Sequence, residues 1–259
     1  MLRSAPVKDL KGAGMRGRFL VALAATATLA AIAAGSAVAS HSWGNYHWAR
    51  TSNPFTVPVG DNVTNTSAAN WDAALARAAG DWSASRVLDS PVVAGLTTGR
   101  KCRPTNGRIE VCNARYGFNG WLGLAQIWVQ GSHILRATTK VNDSYLSSPA
   151  YSATNRQHVM CQEIGHGYGL GHQDESGADL NTCMDYADAL DNPSPNAHDY
   201  QQLETIYGSH TDATSTLGAS APGKGRVIVR RHGLRTSYIV EDLGRGLRKH
   251  TFIHWAILG

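Results

Sequence analysis

From His158 to Glu175 the chain reads HVMCQEIGHGYGLGHQDE, and no other stretch limits so tightly what the rest can fold into. Glu163, His166, Gly169 and His172 follow one another at a spacing of three. In a helix, positions 162 and 166 stand one above the other on the same face. Glycine at 169 can take the left-handed conformation that ends a helix, which turns His172 back toward His166. Two converging imidazoles beside a carboxylate on the same turn describe a metal site with a general base. Met184 stands twelve residues beyond His172, inside the run Cys183-Met184-Asp185-Tyr186.

These residues resemble the metzincin zinc peptidases, whose motif H-E-x-x-H-x-x-G-x-x-H is followed by a methionine turn. Every motif position is kept except the first, where Gln162 replaces histidine. The resemblance implies one zinc ion held by Gln162, His166 and His172, with Met184 beneath it. Glu163 would be the general base toward a metal-activated water. Tyr186 has the spacing of the metal-proximal tyrosine of the astacin and serralysin branches. His198 to Gly208, HDYQQLETIYG, looks most like the end of a matrixin domain. The function implied is a secreted zinc-dependent endopeptidase that hydrolyses protein or peptide substrates. The competing class is a secreted binding or structural protein that kept the frame and lost catalysis when its first ligand changed.

Gln162 offers an amide oxygen, a weaker zinc donor than imidazole, so the affinity implied is lower. His158 cannot replace it, because its Cα lies ~12 Å along the helix axis from that of His166. It reads as a packed or surface histidine. Asp174 reads as exposed. His41, His47, His133, His198, His210 and the histidines of the tail have no ligand spacing and carry no site expectation.

Ahead of this domain, Arg3, Lys8, Lys11, Arg16 and Arg18 precede an apolar run from Phe19 to Ala34 and the small-x-small triplet Ala37-Val38-Ala39. That is the pattern of a cleavable secretory signal peptide over residues 1–39, so the mature chain is expected to be secreted and extracellular. The run is shorter than the ~20 residues a span requires, and stable membrane insertion is not expected. The leader takes five basic residues and Asp9 with it, lowering the net charge from +5 to about +1. Residues 40–223 then carry eleven Lys/Arg against sixteen Asp/Glu, and residues 224–259 eight against two. Basicity is therefore a property of the leader and tail, and it gives no reason to expect nucleic acid binding. A monomer is expected.

Residues 40–208 suit one catalytic domain. Pro54 to Val59 reads as a first strand. Ser67 to Ser85 reads as a helix, with Trp71, Leu75, Ala78 and Trp82 on one face. Further strands are expected at 87–94, 108–112, 121–129 and 134–141. The motif helix should start near Thr154 or Asn155, and a closing helix should run from Asn196 to Tyr207. That order is the one found in a small metzincin domain. It implies an α+β or α/β fold with a twisted mixed sheet, a motif helix, a methionine turn and a C-terminal helix. The family binds peptide by adding a strand to an exposed edge, and Leu124 and Ala125 in Trp121–Val129 resemble that edge strand.

Four cysteines behind a signal peptide point to disulfides. Cys102 and Cys112 flank a turn and suit a hairpin staple. Cys161 and Cys183 each precede a site position, and their bond would tie the motif helix to the methionine turn. Residues 209–223, rich in Ser, Thr, Ala and Gly, read as a linker. Residues 224–259 read as a small β appendix of three strands. Its basic side reads first as a solvated face, with contact to an anionic surface as the alternative. The interval between Ala39 and Pro54 is too short for an inhibitory propeptide, so control is expected from the tail or from weak metal binding.

Overall fold

The computed structural model describes residues 41–256, apart from 175, 186–189, 213–222 and 234–235. The proposed signal peptide, Tyr186 and most of the linker lie outside the described residues. The strands are β1 (His47–Trp48), β2 (Phe55–Thr56), β3 (Val59–Asn62), β4 (Leu88–Asp89), β5 (Val92–Ala94), β6 (Ile109–Ala114), β7 (Trp121–Gln130), β8 (His133–Asn142), β9 (Arg226–His232), β10 (Thr236–Asp242) and β11 (Leu247–Trp255). The helices are α1 (Trp71–Ser83), α2 (Asp143–Leu146), α3 (Ala153–Gly167) and α4 (Ala197–Tyr207). The result is an α+β protein with one large mixed sheet. No described helix is long and apolar enough to cross a membrane.

The main sheet has the order β5-β3-β6-β8-β7-β11-β10-β9, with β1 pairing to β8 off this path. From β5 to β8 the strands are parallel. From β8 through β7, β11, β10 and β9 each neighbour is antiparallel. The tail strands expected as a separate appendix are therefore the last three strands at one end of the sheet, and they belong to the same compact unit as the rest. Alternating apolar residues with Gly turns specify that strands form here, but which edge they join depends on surfaces far away in sequence.

One face of α1 carries the expected stripe, and Trp71, Leu75, Ala78 and Trp82 are all fully buried. Asn70 caps this helix by accepting from the Ala73 amide at 3.1 Å, which satisfies one of the amide groups its first turn leaves unpaired. Trp71 donates to Asp143 Oδ1 at 2.8 Å and Trp82 to the Cys161 carbonyl at 3.1 Å. The second bond fixes α1 against α3. α3 opens with a capping box in which Ser152 and Asn155 exchange hydrogen bonds, one residue before the expected start. In α4, Leu203 and Tyr207 are buried, while Tyr200 and Ile206 are half-buried against the same core. The two disulfides pair as expected, Cys102 with Cys112 and Cys161 with Cys183, with Cα separations of 5.9 and 6.0 Å.

Candidate functional site

The last two turns of α3 bring Gln162, Glu163 and His166 under the sheet, and all three are at most 1% exposed. Tyr168 ends the helix, and Gly169 follows with φ +92. A side chain at 169 would meet the Tyr46 carbonyl oxygen at 2.5 Å, so only glycine fits this turn. The turn returns the chain as expected: the His166 and His172 rings stand edge to face with centroids 4.8 Å apart. His166 Nδ1 lies 2.8 Å from the Leu170 carbonyl oxygen. A carbonyl only accepts, so the neutral ring carries its hydrogen on Nδ1 and presents Nε2 as a lone pair. Burial pushes the His166 pKa down to about 4 and holds His172 well below its ordinary value. Both rings are therefore neutral, the form in which imidazole binds metal.

Glu163 is fully buried, and neither carboxylate oxygen has a hydrogen-bond partner among the described residues. Burial drives its pKa well above the ordinary carboxylate range. Its side chain occupies the space that a residue at 123 would fill: a Cβ on Gly123 of β7 would sit 2.3 Å from Glu163 Oε1. Gly123 is therefore the reason a carboxylate fits between α3 and the sheet. Met184 is fully buried beneath α3, its sulfur against Gly165. The Met184 carbonyl also accepts from the Gln173 amide at 2.6 Å, which joins the methionine turn to the residue after His172.

Gln162 is engaged at both ends of its amide. Nε2 donates to the Asp185 carbonyl at 3.1 Å, and Oε1 accepts from His254 Nδ1 at 2.5 Å. His254 comes from β11, which lies alongside β7 with Phe252 opposite Ala125, Ile253 opposite Leu124 and His254 opposite Gly123. Residues opposite each other across a sheet share a face. Phe252 and His254 accordingly point where Gly123 points, over the motif. Phe252 stacks on His166 with centroids 4.7 Å apart and an interplanar angle of 16°. Trp43 packs against Phe252 and stacks on Tyr238 at 4.5 and 4.3 Å. The rings of His166, Phe252, Trp43 and Tyr238 thus close over the site.

Leu124 and Ala125 do not lie on a free edge. β7 is paired along its length on both sides, with Lys140 and Thr139 of β8 opposite these two residues on the other flank. β11 of the tail occupies the flank of β7 where an exposed edge was expected. His158 is 1% exposed, with its pKa lowered to about 4 by burial. It is a packed histidine rather than a donor, as its position in the helix requires.

Four histidines read as uninformative, His41, His47, His133 and His198, prove to be gathered with two aspartates. Among the described residues, two groups of three place one donor atom from each member within 4.8 Å of the others. They are His41, His198 and Asp199, and His47, His133 and Asp212. The His166–His172 pair is in neither. His198 and Asp199 are adjacent in sequence, but nothing in the spacing points from them to His41. Likewise, 92 positions separate Gln162 from His254, and no short motif spans such an interval.

Comparison with known proteins finds no family model that matches the chain and no curated protein with significant similarity to it.

Proposed function

We propose that the protein is a secreted metalloendopeptidase of the metzincin type, held closed by its own C-terminal strand. The observation that carries this reading is the Glu163 carboxylate, fully buried beside the neutral His166–His172 pair without a hydrogen-bond partner among the described residues. Burying such a group uncompensated costs several kcal/mol, and packing alone gives no reason to keep it. A borderline divalent cation such as zinc suits the donor set of two imidazoles and an amide oxygen. His166 Nε2, His172 and Gln162 Oε1 would hold it, with Gln162 giving up its bond to His254. Bound there, zinc would polarise the scissile carbonyl and lower the pKa of water.

Glu163 would take a proton from the water whose oxygen bonds to the scissile carbonyl carbon, and pass it to the leaving amine as the C–N bond breaks. Burial raises its pKa well above the ordinary carboxylate range, which favours the protonated form once it has taken that proton. Peptide would lie along β7 at Leu124 and Ala125, where β11 now lies, so β11 must withdraw before substrate enters. Phe252 stacked on His166 and His254 bonded to Gln162 are the contacts that withdrawal breaks.

The saturated amide of Gln162 equally favours a silent metzincin frame with a binding role. The deciding experiment measures zinc content and cleavage of an unfolded protein. The wild-type chain should bind zinc and cleave. Glu163→Gln should keep the metal and lose cleavage, and His166→Gln should lose both. A wild-type chain that neither binds zinc nor cleaves, with or without its tail, would establish the silent frame.

A further inference from the structure

We propose that His41, His198 and Asp199 form a second divalent-metal site, of the zinc class, separate from the motif and independent of the peptidase reading. His41 precedes Ser42, which bridges to Leu170, and its carbonyl accepts from the Gly171 amide. The segment is thus fastened to the loop that carries His172. His198 and Asp199 lie in the first turn of α4. The His41 and His198 rings stack with centroids 4.8 Å apart at an interplanar angle of 21°.

Hydrogen bonds fix which atoms face inward. His41 Nδ1 lies 3.2 Å from the Gly171 carbonyl oxygen, which only accepts, so the hydrogen is on Nδ1 and Nε2 carries the lone pair. That lone pair faces Asp199 Oδ1 at 3.5 Å. Asp199 Oδ2 is already taken, accepting from the Asn196 amide at 2.8 Å and from the Thr182 hydroxyl. His41 Nε2, His198 Nδ1 and Asp199 Oδ1 are all buried, and none has a hydrogen-bond partner among the described residues. The His41 and Asp199 side chains are at most 1% exposed.

Two acceptors facing each other in a dry interior repel unless something positive lies between them. A proton could join His41 to Asp199, but it would leave His198 Nδ1 unsatisfied. A cation satisfies all three donors at once, and two imidazoles with a carboxylate make a recognised zinc donor set. The Gly171 carbonyl, the Asn196 amide and the Thr182 hydroxyl would then orient the donors from behind. Three protein donors leave a fourth position for water. Such an ion would bind the start of the mature chain, the head of α4 and the Gly171 loop into one unit.

The test uses the secreted chain without an affinity tag, stripped with chelator and titrated with zinc by calorimetry. Two equivalents are expected for wild type. His41→Gln and His198→Gln should each lose one equivalent and keep the other, and His166→Gln should lose the other. A single equivalent that survives His166→Gln but vanishes in His198→Gln supports this site while removing the peptidase metal. A stoichiometry unchanged by His198→Gln overturns the site, whatever the motif does. Should the variants fold poorly, long-range proton–nitrogen NMR of the unaltered chain decides. The imidazole nitrogens of His41 and His198 should shift on adding zinc, and unmoved signals overturn the proposal.

Discussion

At the scale of single residues, the site depends on what Gln162 touches. Its buried oxygen accepts from His254, so His254→Ala leaves an acceptor unpaired, which costs roughly 1–3 kcal/mol of stability. The same change frees that oxygen for metal. Thermal unfolding should therefore show a lower Tm for His254→Ala, while zinc titration should show tighter binding. Looser zinc binding would mean that Gln162 is not a donor. A second residue-scale effect follows from buried histidines. Burial brings the pKa values of His158 and His250 down to about 4. The unfolded chain takes up these protons near 6.5, so between pH 6.5 and 4 it holds more protons than the folded chain. Their contribution to stability is full above pH 6.5 and is lost as the pH falls toward 4. Glu163, raised by burial, acts in the opposite direction, favouring the fold at low pH. His166 and His172 are lowered with them, against raised Glu163 and Asp199, so the histidines prevail. The Tm of the metal-free chain should fall from pH 6.5 to 4, and His158→Phe should flatten that fall.

Among the elements, β11 is the one that covers the motif. It pairs with β7 from Leu247 opposite Gln130 to Trp255 opposite Trp121 and sets Phe252 over His166. Ending the chain at Gly223 removes β9, β10 and β11 together and opens the β7 edge. Hydrolysis of an unfolded substrate should rise by about tenfold or more, assayed alongside the full chain at equal concentration. The truncated protein should also have a lower Tm and a tendency to associate through its bare edge. Equal or lower activity with intact zinc binding would show that β11 is no barrier. The existence of these elements was legible in the sequence because their periods are local. The Trp71-Leu75-Ala78-Trp82 stripe specified α1, and short β-branched runs between glycine turns specified the tail strands. The two-residue β1 and the split of the 54–59 and 87–94 runs into short strands were not legible. So few residues carry no period of their own.

Over the whole molecule, the two disulfides join parts that the sheet alone does not. Cys161–Cys183 closes 22 residues and fastens α3 to the turn at Met184, while Cys102–Cys112 closes 10 and fastens the loop before β6 to that strand. On the chain-entropy account each contributes about 3 kcal/mol, slightly more for the longer loop. Replacing Cys161 and Cys183 by alanine should lower stability in urea by that amount and also weaken zinc binding. The Cys102/Cys112 double variant should lower stability alone. Equal zinc affinity in both variants would show that the longer disulfide does not position the site.

By itself, the sequence determined the helix that carries Glu163 and His166, the glycine turn that returns His172, the cysteine pairing and the strands of the tail. Each rests on a spacing of a few residues or on a local conformational preference, and such signals survive without knowledge of the fold. Only the tertiary structure decided that β11 takes the β7 edge, that His254 holds Gln162, and that His41 meets His198 and Asp199. These contacts join residues 92 or more positions apart. They arise because burial of large apolar faces brings distant segments together. No local pattern specifies which histidine will arrive beside which acceptor.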